Sequence, residues 1–189
     1  YEKALQIWRQ DGNLTWQASL LNNMGVMYHI QGEYEKAVDA FEEGLLCAQR
    51  SRLTRLEILI SIGLGELFAE LDDFSLAEQN FQYASEVLQG TQDRFLSYSL
   101  AAARMNLALL RGDTESARSI LGDIQTVVKN NSSTYESGIL GLLQARLSLL
   151  VADPRKALRE IKKAEAHFLE DGRESEMATA QVWHAAACF

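Results

Sequence analysis

Proline is almost missing from this sequence. A single proline, Pro154, serves 189 residues, and only 12 are glycine. Strand-rich folds need many turn residues, so the shortage argues for long helices. Cysteine is scarce too. Cys47 and Cys188 stand 141 residues apart and match no metal-ligand spacing, which leaves two reduced, partly buried thiols. Positive charge never gathers: 18 Lys and Arg face 26 Asp and Glu, a net charge of −8 spread along the chain. Phosphate backbones are bound by clustered Lys and Arg, so no direct nucleic-acid contact is expected. The longest apolar run, GILGLLQARLSLLVA at 138–152, carries Gln144 and Arg146 and cannot span a bilayer. No secretory signal opens the chain, and the expected location is the cytoplasm, away from membranes.

What is present is a period. A small residue followed four positions later by a bulky one appears as Ala37 and Phe41, Ala77 and Phe81, Ala117 and Leu121, Ala157 and Ile161, with a spacing of 40. Other columns keep the same spacing: Tyr34, Phe74, Thr114 and Pro154; Gly25, Gly65, Met105 and Ala145; and the turn column Gly32, Asp72, Gly112 and Ala152. The similar pentapeptides YEKAL at 1–5 and YEKAV at 34–38 suggest a period of 33, but they are not equivalent. Subtracting one period from Phe41 lands on Tyr1, so Tyr1 belongs late in a second helix. The expected organisation is one array: 1–12 ends a preceding repeat, 13–52, 53–92, 93–132 and 133–172 are four repeats, and 173–189 starts another. On this register the chain is expected to be a segment of a longer array.

Each period reads as two helices. The first helices are expected at 14–31, 54–71, 94–111 and 134–151, and the second at 33–50, 73–89, 113–129 and 153–170. Thr54 with Glu57, and Ser133 with Glu136, have the form of a capping box. Asp73, Asp113 and Asp153 stand where N-caps belong, and Pro154 follows at the first helical position, where a missing N–H costs nothing. Gly12, Gly90, Gly172 and the Asn130–Asn131 pair mark loops after second helices. A lone helix pair cannot bury its apolar face, so neighbouring pairs must stack. The small residues Gly25, Ala37, Gly65, Ala77, Ala117 and Ala157 let backbones approach, and Tyr28, Phe41, Phe68 and Phe81 fill the remaining space.

At these columns the sequence resembles the tetratricopeptide repeat. The first copy reads Leu21, Met24–Gly25, Tyr28, Gly32, Tyr34, Ala37, Phe41 and Gly44–Leu45. The second reads Ser61, Leu64–Gly65, Phe68, Phe74, Ala77, Phe81 and Ala84. The third and fourth copies follow by the period, with Arg104 in a column that is usually apolar. The resemblance implies an all-α fold, an α-α superhelix formed as a right-handed solenoid of antiparallel helix pairs. The period of 40 exceeds the family's 34, and the closing proline is missing. Longer repeats of this kind are similar to those of MalT-like, LuxR-type and SARP-type bacterial regulators. Similar ones occur in eukaryotic polarity and cargo adaptors and in peptide-sensing bacterial regulators.

No catalytic constellation accompanies the repeats. His29, His167 and His184 fall on three different repeats without a second ligand three or four residues away. Gly63 and Gly65 lie within a helix and lack a third glycine, so they cradle no phosphate. Acidic pairs such as Glu42–Glu43 and Asp72–Asp73 diverge on a helix or cap one. Neither an enzyme activity, a cofactor nor a metal is expected. The resemblance implies instead a concave face lined by first helices. Transferred by column, the lining residues are Asn22, Asn23, Val26 and His29 in the first copy, with Ile30 beside them. Glu66 and Glu70 follow in the second, Asn106 in the third, and Leu142, Arg146 and Leu149 in the fourth. The expected function is a non-catalytic protein- or ligand-binding region of a larger signalling or transcription regulator of bacterial type. The alternative is a pure peptide- or protein-binding scaffold with no ligand switch. The partners expected are a protein or peptide, or a small inducer, together with weak self-association through apolar array ends.

Overall fold

The computed structural model describes residues 1–128 and 133–188. Among them are ten helices and no strand: α1 (Glu2–Gln10), α2 (Leu14–Ile30), α3 (Tyr34–Arg50), α4 (Thr54–Glu70), α5 (Phe74–Leu88), α6 (Arg94–Leu110), α7 (Thr114–Val128), α8 (Thr134–Leu150), α9 (Pro154–Glu170) and α10 (Glu174–Cys188). The protein is therefore all-α, as its composition implies, and consecutive helices pack as pairs. Its contacts divide into two compact units, Tyr1–Leu100 and Ala101–Phe189. In the first unit α2 packs on α3, α4 on α5, and α3 on α4, while α1 covers α2. In the second α8 packs on α9, and α10 lies against both; α7 also meets α8.

Local chemistry explains the boundaries. Asp73 and Asp153 cap α5 and α9 by accepting from the N–H groups of Leu76 and Lys156 at 3.0 Å, and Asp113 does the same for Ser116 at 3.0 Å. Pro154 opens α9. Ser133 and Glu136 form the reciprocal capping box of α8, at 3.1 and 2.9 Å. Thr54 and Glu57 do not form one. Leu53 occupies the cap position of α4 without a side-chain bond, so Thr54 is already helical, and the Glu57 carboxylate accepts instead from the Tyr83 hydroxyl. The turn column closes first helices with left-handed backbone at Gly32, Asp72, Gly112 and Ala152, with φ between +58° and +73°. A matching column after second helices holds Gly12, Arg52 and Gly172 at φ +67°, +56° and +66°. Gly90 lacks that geometry, and α5 ends at Leu88. Asn130 and Asn131 lie outside the described residues.

Small residues and large ones lock together. Phe41 and Phe81 are fully buried, and each lies flat against a glycine of the facing first helix. A methyl group added at Gly25 would lie 2.6 Å from the Phe41 ring, and one at Gly65 would lie 2.3 Å from that of Phe81. The same device returns in the second unit two helical turns away, where a methyl group added at Gly138 would lie 2.5 Å from the buried Phe168 ring. There Ala145 and Ile161 occupy the columns that hold Gly25 and Phe41 in the first repeat, and both are fully buried. Of the two thiols, Cys47 is buried and Cys188 is exposed, so only the first matches the expectation of partial burial; both are free.

Candidate functional site

The repeating register puts the candidate residues on successive first helices. In the first unit α2 carries Asn22, Asn23, Val26 and His29, and α4 carries Glu66 and Glu70. Asn23 and Val26 are exposed, and Asn22 is half-buried. His29 and Glu70 meet across the two helices, with Nε2 and the carboxylate 2.9 Å apart. The hydrogen bond that His29 donates to the Glu70 carboxylate raises the His29 pKa above 6.5 against the opposing effect of burial. The same bond holds the Glu70 carboxyl below 4.5. Glu66, one helical turn earlier on α4, is half-buried. Desolvation pushes its carboxyl up to about 7, the charge of His29 pulls it back, and Glu70 adds to the rise.

These groups border open concavities. One of about 450 Å³ is lined by His29, Ile30, Gln31, Gly32, Tyr34 and Glu70. Beside it, Tyr1, Asn23, Val26, Met27, Ile30 and Gln31 line another of about 520 Å³. Ile30 is 81% exposed, which for an isoleucine at the rim of a cleft is the strongest apolar signal in this unit. Tyr34, which was not among the residues transferred to the lining, joins the site. Its ring is tilted against that of His29, with centroids 6.1 Å apart.

In the second unit α6 carries Asn106 and α8 carries Leu142, Arg146 and Leu149. Arg146 donates to the Asn106 side-chain carbonyl, and its guanidinium lies over the Trp183 ring of α10 at 4.8 Å. Burial lowers the pKa of Arg146. Leu142 is 7% exposed and packs with Ala164, Phe168 and Ala180. Leu149 is partly buried against Ala145, Ile161 and Ala187. Both therefore serve the core more than any open face, because α9 and α10 cover α8. That covering accounts for the apolar character of 138–150 on nearly every side. Trp183 is the residue that the sequence reading missed. It falls one period after Leu143, in the column that holds Asn23 in the first repeat, so the period carried forward once more identifies it. A third concavity, about 560 Å³, is bounded by α7, α8 and α9 and takes in Arg118, Gln144, Lys156 and Lys163, none of them candidate residues.

No helix among the described residues is long and apolar enough to cross a membrane. No curated protein matches the chain. The tetratricopeptide repeat family model matches it twice, over residues 1–50 and 17–90. Those residues hold the two copies in which Gly25 meets Phe41 and Gly65 meets Phe81, and over residues 1–90 the chain is similar to tetratricopeptide repeats.

Proposed function

We propose that this protein is a non-catalytic binding platform whose first helices present a peptide or protein ligand surface. The repeats at 13–52, 53–92, 93–132 and 133–172 would supply that surface. The observation that carries the reading is the pair of open concavities along α2, one of them reaching Glu70 of α4, where the exposed Ile30 and Val26 stand near His29 and Tyr34. Exposed apolar residues next to fixed polar groups are what a peptide groove requires. The tetratricopeptide repeat is a protein-interaction module, and the family match over residues 1–90 supports the same reading.

Selection of a displayed random peptide library on the intact protein tests it. Selected peptides are expected to lose at least tenfold in affinity on Ile30→Asp or Val26→Asp, both exposed enough to leave the fold intact. Equal binding by both variants would remove the platform from this face.

The 40-residue period favours a sensor arm of a cytoplasmic signalling or transcription regulator, with a small inducer as a second class of ligand, over a scaffold that only recruits. A DNA-binding module encoded in the same reading frame is the expected companion; further repeats alone would favour the scaffold. Exposed Tyr1, Ile7 and Trp16 near one end of the described chain, and Leu169 and Val182 near the other, support weak self-association. Sedimentation velocity should show a concentration-dependent shift, and a strict monomer at high concentration would refute it.

A further inference from the structure

One stretch departs from the acidic balance of the chain. Between positions 155 and 163, α9 carries Arg155, Lys156, Arg159, Lys162 and Lys163 against a single carboxylate, Glu160. Two of these cations, Lys156 and Lys163, line the concavity of about 560 Å³ that α7, α8 and α9 bound, and Arg118 of α7 lines it as well. All three helices belong to the second unit.

Two acidic groups share the lining, and both are already committed. The Asp153 carboxylate accepts from the Lys156 backbone N–H at 3.0 Å and so caps α9. Both Glu160 oxygens accept from the Lys163 ammonium at 3.2 Å. Arg118 and the Lys156 ammonium form no ion pair among the described residues. Two cations that border one concavity repel each other, and an anion that reaches both removes that cost. Repeat packing does not call for these charges. Two periods earlier, the positions of Arg118, Lys156 and Lys163 hold Val38, Leu76 and Tyr83, and α3, α4 and α5 pack together there without a cation at any of them.

The rest of the lining suits an organic molecule. Leu121, Leu147 and Val151 border the same space, together with the Gln144 amide. The volume falls in the range of small-molecule sites. We propose that Arg118 and Lys156 bind the phosphoryl group of a small organic phosphomonoester in this concavity, with the organic part against Leu121, Leu147 and Val151. A phosphoryl group brings up to two negative charges and three acceptor oxygens, enough for a guanidinium and an ammonium at once; a carboxylate brings one charge and two oxygens. The cations stand on second helices, so the site stands or falls apart from the first-helix platform.

The probes are phenyl phosphate, phenol, benzoate and inorganic phosphate, each added to the intact protein. The readout is the NMR shift of the Lys156 and Val151 backbone amides. Phenyl phosphate is expected to shift both saturably, at least tenfold more tightly than the other three, and less tightly at high salt. Arg118→Gln and Lys156→Gln should each weaken it by about tenfold. Both side chains are exposed, and circular dichroism checks that the helices are kept. Lys162→Gln is the control and should change nothing, because Lys162 shares the charge of α9 without lining the concavity. A short oligothymidylate separates a small ester from a polyanion. If it displaces phenyl phosphate, and Lys162→Gln costs it as much as Lys156→Gln, α9 is reading a phosphate backbone and the small-molecule site is overturned. Equal binding of benzoate and phenyl phosphate, or no saturable shift at millimolar concentration, would overturn it as well.

Discussion

At the residue scale, the decisive contacts are those between a glycine and an aromatic ring. Replacing Gly65 by alanine adds about 1 kcal/mol of helix propensity. The new methyl, however, would stand 2.3–2.8 Å from three atoms of the fully buried Phe81 ring, and overpacking of this kind costs about 1–3 kcal/mol or more. Gly65→Ala is therefore expected to lower the urea midpoint. Gly122→Ala is the matched control: Gly122 is helical, and no heavy atom lies within 4 Å of an added Cβ. It is expected to raise stability by about 0.5–1 kcal/mol, and the same direction for both variants would refute the packing account. The turn column gives a second test. Ala152 sits at φ +58° where Gly32 and Gly112 stand in other repeats, and a left-handed alanine costs roughly 1 kcal/mol. Ala152→Gly should raise the midpoint slightly, and a fall would show that the turn is held by something other than backbone preference. Most of this was legible in the sequence, because glycine and phenylalanine recur at a fixed interval. The pairing of Gly138 with Phe168 was not. It exchanges the large and small positions two helical turns along the interface, and a column-by-column reading cannot follow an exchange between columns.

At the element scale, the contact of α2 with α4 through His29 and Glu70 makes the first unit sensitive to pH. Three titratable groups face His29: Glu66 and Glu70 from α4, and Tyr34 from α3. The folded pKa of His29 is raised above 6.5, so its contribution is complete below 6.5 and is lost as pH rises through the folded value. Glu66 is raised from 4.5 to about 7, so the stability associated with its neutral form is lost between those values as pH rises. Glu70 is lowered, so its contribution holds above 4.5 and fades in stronger acid. The three together place the best stability of this contact near pH 4.5, where Glu66 is still neutral and Glu70 is ionised. Urea unfolding between pH 6 and 8 should therefore show stability falling as pH increases. Glu66→Gln should shallow that slope and His29→Gln should shallow it further; an unchanged slope in both would show that these groups do not govern it. The helices themselves were legible to within a residue, since their caps at Asp73, Asp113, Ser133 and Asp153 are local. The His29–Glu70 partnership was not, because it joins side chains 41 residues apart that fall in neighbouring columns, and the period predicts which columns line a face without saying which side chains pair across it.

At the scale of the whole molecule, repetition decides how damage spreads. Within each unit, neighbouring helices in sequence rest on one another, so stability there is expected to be close to a sum of local terms. The two units each carry their own buried aromatic residues: Phe41 and Phe81 in one, and Phe168 in the other. Fold class was readable from composition and period because both are properties of the entire chain. The ligand was not, because candidate residues such as Asn23, Glu66 and Arg146 are free to vary within a column whose geometry the core holds fixed. The same separation gives the last prediction. Phe81→Leu and Phe168→Leu each leave a gap against a glycine and should cost about 1 kcal/mol or more. Amide hydrogen exchange should then lose protection locally, in α2–α5 for the first variant and in α8–α10 for the second, because opening in a stacked array stays near the weakened interface. Equal loss across every helix in both variants would mean that the two units unfold as one cooperative body, and the sum of local terms would fail for this protein.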